Sequence, residues 1–451
     1  MKRMFNKLQQ IWQQDPIFQR VLKNTGYLFS ATTISLVLVF VQSILVARLL
    51  GLEVFGLITI VMAFVTNINR LFSFRMGEFI IRFFGKEVTE GNLTQAGVVV
   101  KTAAIIEGVT SIIAFVFLWF LAPIGATLFG KDPTAVSLIR LFGAAILVNF
   151  VTETSTGVLH ATNQFKKQAA LTLFSSIVTL ALITIAFFLK GDILFILWAY
   201  LAGKFILGLG PVVLACRALS QELGVRWWRE RFSILPSIKE MARFAISTNL
   251  SATIKLLVSE SEPLWVGFFL DKQAVGLFKI ALTVVNPLMM PISPLIDTTF
   301  PEIARSVVLK KWQQLKQLLR RTTFIALAWT GFVTLLMIFL GEWIIRIAYG
   351  VEYVAAYPTL LILLVGFGFS NIFFWNRKLL LAFGRANIPL NVLAGAAALK
   401  ISLAFVFVPQ YGINAEAWLL SGNFILSVGL LVLIGIILIR RSEKLTMMES
   451  A

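Results

Sequence analysis

Twelve apolar runs, each about 20 residues long and nearly free of charge, constrain this chain more than any other feature. They lie near 26–48, 54–72, 96–122, 138–159, 170–189, 193–216, 244–270, 275–300, 323–345, 354–380, 388–408 and 416–439. Surrounded by hydrocarbon, such a run satisfies its backbone hydrogen bonds only by becoming a helix. With 58% hydrophobic and 14% charged residues and a mean hydropathy of +0.87, the chain has too little polar surface for a water-soluble domain. The fold class that follows is an all-α polytopic membrane protein of twelve transmembrane helices.

Charge orients the helices. The chain carries 40 Lys and Arg against 22 Asp and Glu. With the N-terminus inside, 29 of the cations fall before the first helix or in loops on that same side. Six fall on the other: Arg48, Lys131, Arg140, Lys190, Lys272 and Arg346. The bias repeats for every neighbouring pair of loops, so both termini are expected to be cytoplasmic. A basic excess of this kind suits anionic lipid at the cytoplasmic leaflet, and no nucleic acid is expected. The first run is long enough to span and lacks a small-residue cleavage site, so no cleavable signal is expected. One cysteine, Cys216, excludes an internal disulfide, and one histidine, His160, excludes a His-based metal site.

A repeat divides the chain. VARLLGLEVFGLITI, from Val46 to Ile60, has a counterpart in VGFFLDKQAVGLFKI, from Val266 to Ile280, 220 positions later. Val46, Leu50, Gly56 and Leu57 recur as Val266, Leu270, Gly276 and Leu277. Each copy closes one apolar run, crosses a short polar turn and opens the next. The expected organisation is an amphipathic cytoplasmic segment over 1–25, an N-lobe of helices 1–6 over 26–216, and a cytoplasmic amphipathic linker over 217–243 that contains RWWRER. A C-lobe of helices 7–12 over 244–439 and a cytoplasmic tail over 440–451 complete it. An even number of helices per half makes both halves enter the membrane in the same direction, giving two pseudo-symmetric six-helix lobes around a central cleft.

Polar stripes mark where such a cleft would be wet. A charge in the bilayer core costs at least ~2.5–3.5 kcal/mol, so it faces a bundle interior or a water-filled cavity. On the eighth helix Lys279, Thr283, Asn286, Ser293 and Asp297 share one face, interrupted by Pro287, Pro291 and Pro294, which read as either a pore-lining bend or a static kink. The seventh helix carries Thr248, Lys255, Ser259 and Glu262; Lys255 and Glu262 read either as cleft-lining groups or as an internal ion pair. Offset by 220, they land on Ser35 and Gln42 of the first helix, and the second helix shows Thr59, Thr66, Arg70 and Ser73 on one face. Lys204 and Lys400 sit deeper and would draw an anion. At the inner end of the second helix Arg75, Glu78 and Arg82 stand at i, i+3 and i+7, as a salt-bridge ladder or as a cationic mouth suited to phosphate. The substrate-binding candidates are therefore Lys255, Lys279, Arg70, Arg75, Arg82, Lys204 and Lys400. The coupling or gating candidates are Glu262, Asp297, Glu78, Pro287 and Pro291. There is no Walker sequence, no CxxC and no long outer loop to house an enzyme, so no catalytic residue, metal or cofactor is expected; proton or sodium coupling stays open.

ARLLGLEVFGL, Ala47 to Leu57, followed by RMGEFIIRF, Arg75 to Phe83, resembles bacterial polysaccharide flippases of the Wzx type, within the multidrug/oligosaccharidyl-lipid/polysaccharide exporter superfamily. Arg48, Leu49, Leu50, Gly51, Phe55, Gly56, Ile80, Ile81 and Arg82 carry the likeness; Leu52 departs from the usual turn proline, and Arg75 from a commoner glycine. The resemblance implies alternating access by two lobes in the bacterial cytoplasmic (inner) membrane. It also implies a cargo of anionic, polyprenyl-pyrophosphate-linked oligosaccharide for cell-surface polysaccharide biosynthesis, with the lipid tail left in the membrane. Polysaccharide polymerase and glycosyltransferases are the implied partners. It places an acidic residue late in the seventh helix, where Glu262 stands. The rival readings are a cation-coupled multidrug exporter of the same superfamily, which the intramembrane lysines argue against, and a membrane-embedded glycosyltransferase or an assembly scaffold.

The charge bias predicts a labelling pattern. In a Cys216→Ser background, Lys190→Cys should react with a membrane-impermeant maleimide in intact cells, and Lys166→Cys only after permeabilisation; the reverse pattern would invert the topology.

Overall fold

The computed structural model describes residues 16–225, 227–229, 238–256, 260–385 and 387–450, and among them every regular element is a helix. In chain order these are α1 (Pro16–Phe72), α2 (Met76–Thr89), α3 (Leu93–Gly125), α4 (Ala135–Val148), α5 (Thr152–Ala161), α6 (Phe165–Phe188), α7 (Ile193–Leu223) and α8 (Ile238–Lys255). Then follow α9 (Glu262–Phe269), α10 (Lys272–Met289), α11 (Ser293–Val308), α12 (Trp312–Ala348), α13 (Tyr357–Ile372), α14 (Asn376–Ala382) and α15 (Asn387–Ser450). The expected N-terminal amphipathic segment falls largely outside the described residues, as do part of RWWRER and the side chains of Lys255 and Asp297.

Nine helical segments among the described residues are long and apolar enough to cross a membrane. The first and last each hold two spans. Gly51, at φ 73° and ψ 169°, breaks α1 between the first two runs, and Gly412, at φ 68°, breaks α15 between the last two. A residue with a Cβ adopts such angles only at a cost. The remaining span, 244–270, is split between α8 and α9, which brings the crossings to the expected twelve.

Other spans are broken as well. The fourth run divides into α4 and α5, and the tenth into α13 and α14. The eighth divides into α10 and α11 across a 3-10 turn, Met290–Ile292. Pro287, Pro291 and Pro294 each lack the N–H that an α-helix needs there. The prolines expected to interrupt the run from Lys279 to Asp297 thus divide it into two helices. Arg75 also departs from expectation: the second span ends at Phe72, Arg75 takes a left-handed conformation (φ 53°, ψ 47°), and α2 starts only at Met76. Arg75 therefore shares no helix face with Glu78 and Arg82. α2 is amphipathic, burying Met76, Phe79, Ile80, Phe83 and Phe84 against small residues of α3 and α7 such as Ala103 and Ala218.

The chain forms two compact units, one from the described residues within 1–42, 68–121 and 140–250, the other from 43–67, 122–139 and 251–450. In the first, α6 and α7 approach closely where Gly203 meets Thr179 and Ser175, whose hydroxyl donates to the Gly203 carbonyl at 2.9 Å. In the second, α13 and α15 meet at Gly366, where a Cβ would lie 2.3 Å from the Ser421 Cα.

The second unit also brings the two copies of the repeat together. A Cβ on Gly56 would lie 1.7 Å from the Lys272 carbonyl oxygen, and one on Gly276 would lie 2.8 Å from the Leu52 carbonyl oxygen. Under the 220-residue offset, 52 and 56 correspond to 272 and 276. Equivalent atoms therefore touch from both sides, as across a twofold axis. Around this contact the Ser43 and Tyr349 hydroxyls lie 2.8 Å apart, the Tyr353 hydroxyl donates to the Ala47 carbonyl at 2.7 Å, and Arg48 Nε donates to the Ala348 carbonyl at 2.7 Å.

The glycine contacts give a direct stability prediction. Gly366→Val, forced against the α15 backbone, should destabilise the protein by about 1–3 kcal/mol. Gly331→Ala, whose Cβ meets nothing within 4 Å, should not lower stability. Melting temperatures of the two purified variants in one detergent would check this.

Candidate functional site

The break between α8 and α9 sets a carboxylate at the head of a short helix inside the membrane. Ser261 fills the break, its hydroxyl 2.8 Å from Asn67 Oδ1 and 2.9 Å from the Leu256 carbonyl, so two polar groups of the break are satisfied locally. Glu262 follows as the first residue of α9. Across from it, α15 supplies Lys400 before its Gly412 break and Glu416 just after. Lys400 Nζ lies 2.5 Å from Glu262 Oε1 and 2.8 Å from Glu416 Oε1. All three side chains are at most 2% exposed. One ammonium thus faces two carboxylates, a formal charge of −1. Glu262 Oε2 and Glu416 Oε2 have no donor partner among the described residues, and the two carboxyl groups lie within hydrogen-bonding reach of each other. Such a cluster has room to accept one more positive charge.

A second polar group lies in the first unit, where the second span ends and α5 begins. The Ser73 hydroxyl donates to Glu153 Oε1 at 2.7 Å, and the Arg75 backbone N–H donates to Ser73 Oγ at 3.4 Å. The Asn249 amide donates to the Ser73 carbonyl. Arg70 lies within electrostatic range of Arg75 and Glu153, and Lys204 within range of Arg70. Glu107 accepts from the Glu153 and Thr154 backbone N–H groups at 2.8 Å each. It thereby caps α5, whose N-terminal partial charge would otherwise hold an anion. Three cations, two of them arginines, remain against Glu153 and the committed Glu107. Guanidinium groups in this setting suit bidentate contact with phosphate oxygens.

The structure sorts the expected site residues. Arg70, Arg75 and Lys204 are brought together. Arg82 stands apart, exposed on α2, paired with Glu240 at 2.8 Å and lying 4.8 Å over the Phe244 ring. Glu78 is exposed on α2, Lys279 is half-buried on α10, Pro287 lies inside α10, and Pro291 is exposed in the 3-10 turn. Lys400 departs from expectation: placed with the cargo-facing cations, it is instead fully buried, because two carboxylates hold it there. Glu262 pairs with Lys400. Sequence reasoning missed Glu416 as a site residue, and the available signal was a carboxylate inside the last apolar run. Glu107 and Glu153 likewise stand out as carboxylates inside apolar runs but were not singled out as site residues, because their roles arise only from the break between α4 and α5.

Residues 21–307 match the family model described as polysaccharide biosynthesis protein. The chain is 23% identical over 353 residues to the inner membrane protein YghQ of Escherichia coli (strain K12), covering 77% of this chain and 98% of that protein. Its fold is similar to an inward-facing multidrug resistance MATE family transporter of the MOP superfamily, with a TM-score of 0.71 and 14% identity over 91% of this chain and 96% of the other. It is equally similar to the lipid II flippase MurJ in an inward closed conformation, with a TM-score of 0.71 and 17% identity over 90% of this chain and 87% of MurJ.

The buried triad predicts non-additive mutant energetics. Lys400→Met strands two carboxylates and should cost about 3–5 kcal/mol. Adding Glu262→Gln and Glu416→Gln should recover most of that loss, because the stranded charges are gone. Unfolding of the purified variants in one detergent would measure both; a triple variant no more stable than the single one would contradict the pairing.

Proposed function

The chain belongs to the polysaccharide biosynthesis protein family, and from that membership we propose that it flips a polyprenyl-pyrophosphate-linked oligosaccharide across the bacterial inner membrane by alternating access. At the coarser level it is a membrane transporter of the multidrug/oligosaccharidyl-lipid/polysaccharide exporter superfamily, not an enzyme. The observation that carries the finer reading is the Arg70, Arg75 and Lys204 group. Its excess positive charge, gathered where the second span ends, matches a pyrophosphate and opposes an organic cation. Lys255 and Lys279, on the seventh and eighth spans, are further candidate cargo contacts.

In this reading two six-helix lobes, 26–216 and 244–439, alternate around the cargo, with both termini cytoplasmic. The broken helix around Pro287 and Pro291 supplies the bend, Glu78 steers cations at the inner mouth, and Asp297 acts with the eighth span. Ion coupling belongs to the Glu262, Lys400 and Glu416 triad. Binding of one proton or one sodium ion there brings its formal charge from −1 to zero, which favours movement of the surrounding helices through hydrocarbon. Polysaccharide polymerase and glycosyltransferases would be the neighbours that consume and supply the cargo.

Translocation of a fluorescent polyprenyl-pyrophosphate oligosaccharide in proteoliposomes tests the proposal. The intact protein should accelerate it, and Arg70→Ala combined with Lys204→Ala should slow it at least about tenfold, the effect of losing ~1.4 kcal/mol of binding to the moving anion. Glu262→Gln should abolish any dependence on an imposed proton or sodium gradient. Absence of lipid movement together with gradient-driven movement of an organic cation would turn the reading to a drug exporter.

A further inference from the structure

The repeat contact is pinned by charge. Lys272, the first residue of α10 and part of the second copy, lies 2.9 Å from Glu53 Oε1 of the first copy and 2.9 Å from Asp132 Oδ2 in the turn before α4. Lys131 in that same turn donates to the Leu270 carbonyl. The first-half segments 43–67 and 122–139 are thus both fastened to a single turn of the second half, residues 270–272. Beneath the pin the two copies touch at Gly56 and Gly276, with backbone of the other copy close against each glycine and the Leu52 side chain beside Gly276. One turn further along, Ile60 meets Gly267, and a Cβ on Gly267 would lie 2.7 Å from the Phe129 carbonyl oxygen. Segments packed this closely at their glycines leave no passage between them.

We propose that the two copies of the repeat form a latch that closes the membrane face opposite the basic loops, held by the Gly56–Gly276 contact and locked by Lys272 bridging Glu53 and Asp132. The inference rests on the alternating-access reading above and names the contact that must break for that face to open. The pin is asymmetric where the glycine contact is not, since Leu52 stands at the position equivalent to Lys272 and Gln273 at that equivalent to Glu53. One cation therefore locks both first-half segments at once. The latch combines a docking surface that needs no desolvation of charge with a lock at the rim, where water can take up the separated ions when the face opens.

The charged groups facing this lock are Glu53, Asp132, Lys131, Lys272 and Asp271, the last of which caps α10 by accepting from the Ala274 N–H at 2.7 Å. Hydrogen bonds from Thr134 and from Lys272 hold the Asp132 carboxyl at about 2. Hydrogen bonds to Glu53 and Asp132 push the Lys272 ammonium up from its ordinary value. The Asp132 contribution is present above the ordinary carboxylate range and fades as pH falls toward about 2. The Lys272 contribution is present below the ordinary lysine value and fades only above its raised one. Closure is therefore insensitive to pH across the neutral range and sensitive to ionic strength, which screens partly exposed pairs.

Thr59, 7% exposed, lies one turn along the helix from Gly56. The test uses full-length protein in nanodiscs, which leave both faces accessible, with Thr59→Cys as reporter in a Cys216→Ser background and a maleimide as probe. Lys272→Glu, which sets three carboxylates together, should speed labelling about fivefold or more. The exchanged pair Glu53→Lys/Lys272→Glu should bring it back toward the parent rate, which a merely misfolded variant would not do. Molar salt should speed labelling of the parent and leave Lys272→Glu little changed. Equal labelling of the parent and Lys272→Glu would overturn the latch. The flipping assay on the same reporter background decides the transport reading separately, because the labelling result does not depend on cargo.

Discussion

A peptide N–H or carbonyl without a partner in hydrocarbon costs several kcal/mol, and that penalty shapes this molecule more than any side chain does. It forces every crossing into a helix. It also makes each interruption of a helix conspicuous, because the groups released there must be satisfied by something nearby. Glu107 takes up the free N–H groups at the head of α5, and Ser261 bonds back to Leu256 across the break before α9. The polar residues inside the membrane therefore collect at the breaks. The two candidate sites are both of this kind: one beside the α4–α5 interruption, the other at the α8–α9 interruption and the Gly412 break of α15.

Charge in the bilayer interior is handled in two different ways. In the second unit buried Lys400 pairs with both Glu262 and Glu416, leaving a cluster formally one positive charge short of neutrality. In the first unit Arg70 lies within range of both Arg75 and Lys204, and the three outnumber the carboxylates beside them. The first arrangement suits a small cation and the second a larger anion.

The repeat shows how a duplicated segment becomes an interface with itself. Gly56 and Gly276 are matched in sequence because they are matched in space, each lying under a carbonyl oxygen of the other copy. No larger residue fits at either position without separating the copies. The contact is symmetric in packing and asymmetric in its lock, because Leu52 and Gln273 stand at the positions equivalent to Lys272 and Glu53.

Much of this was legible from the chain alone. Apolar length set the number of crossings, and the repeat marked two segments that the fold packs against each other, since each depends on local hydrophobicity or on comparing one stretch with another. The membrane lysines and carboxylates were likewise visible, because hydrocarbon makes any charge stand out. Their partners were not. Lys400 read as a cargo contact until tertiary structure set it between Glu262 and Glu416, which lie 138 and 16 positions away along the chain. Arg75 read as part of a helical ladder until a left-handed turn moved it off the helix and beside Arg70. Periodicity specifies which face of one helix is polar; it carries no information about which other helix that face meets or where a helix stops. Those depend on backbone breaks and on close packing between distant segments, and only the folded chain brings them together.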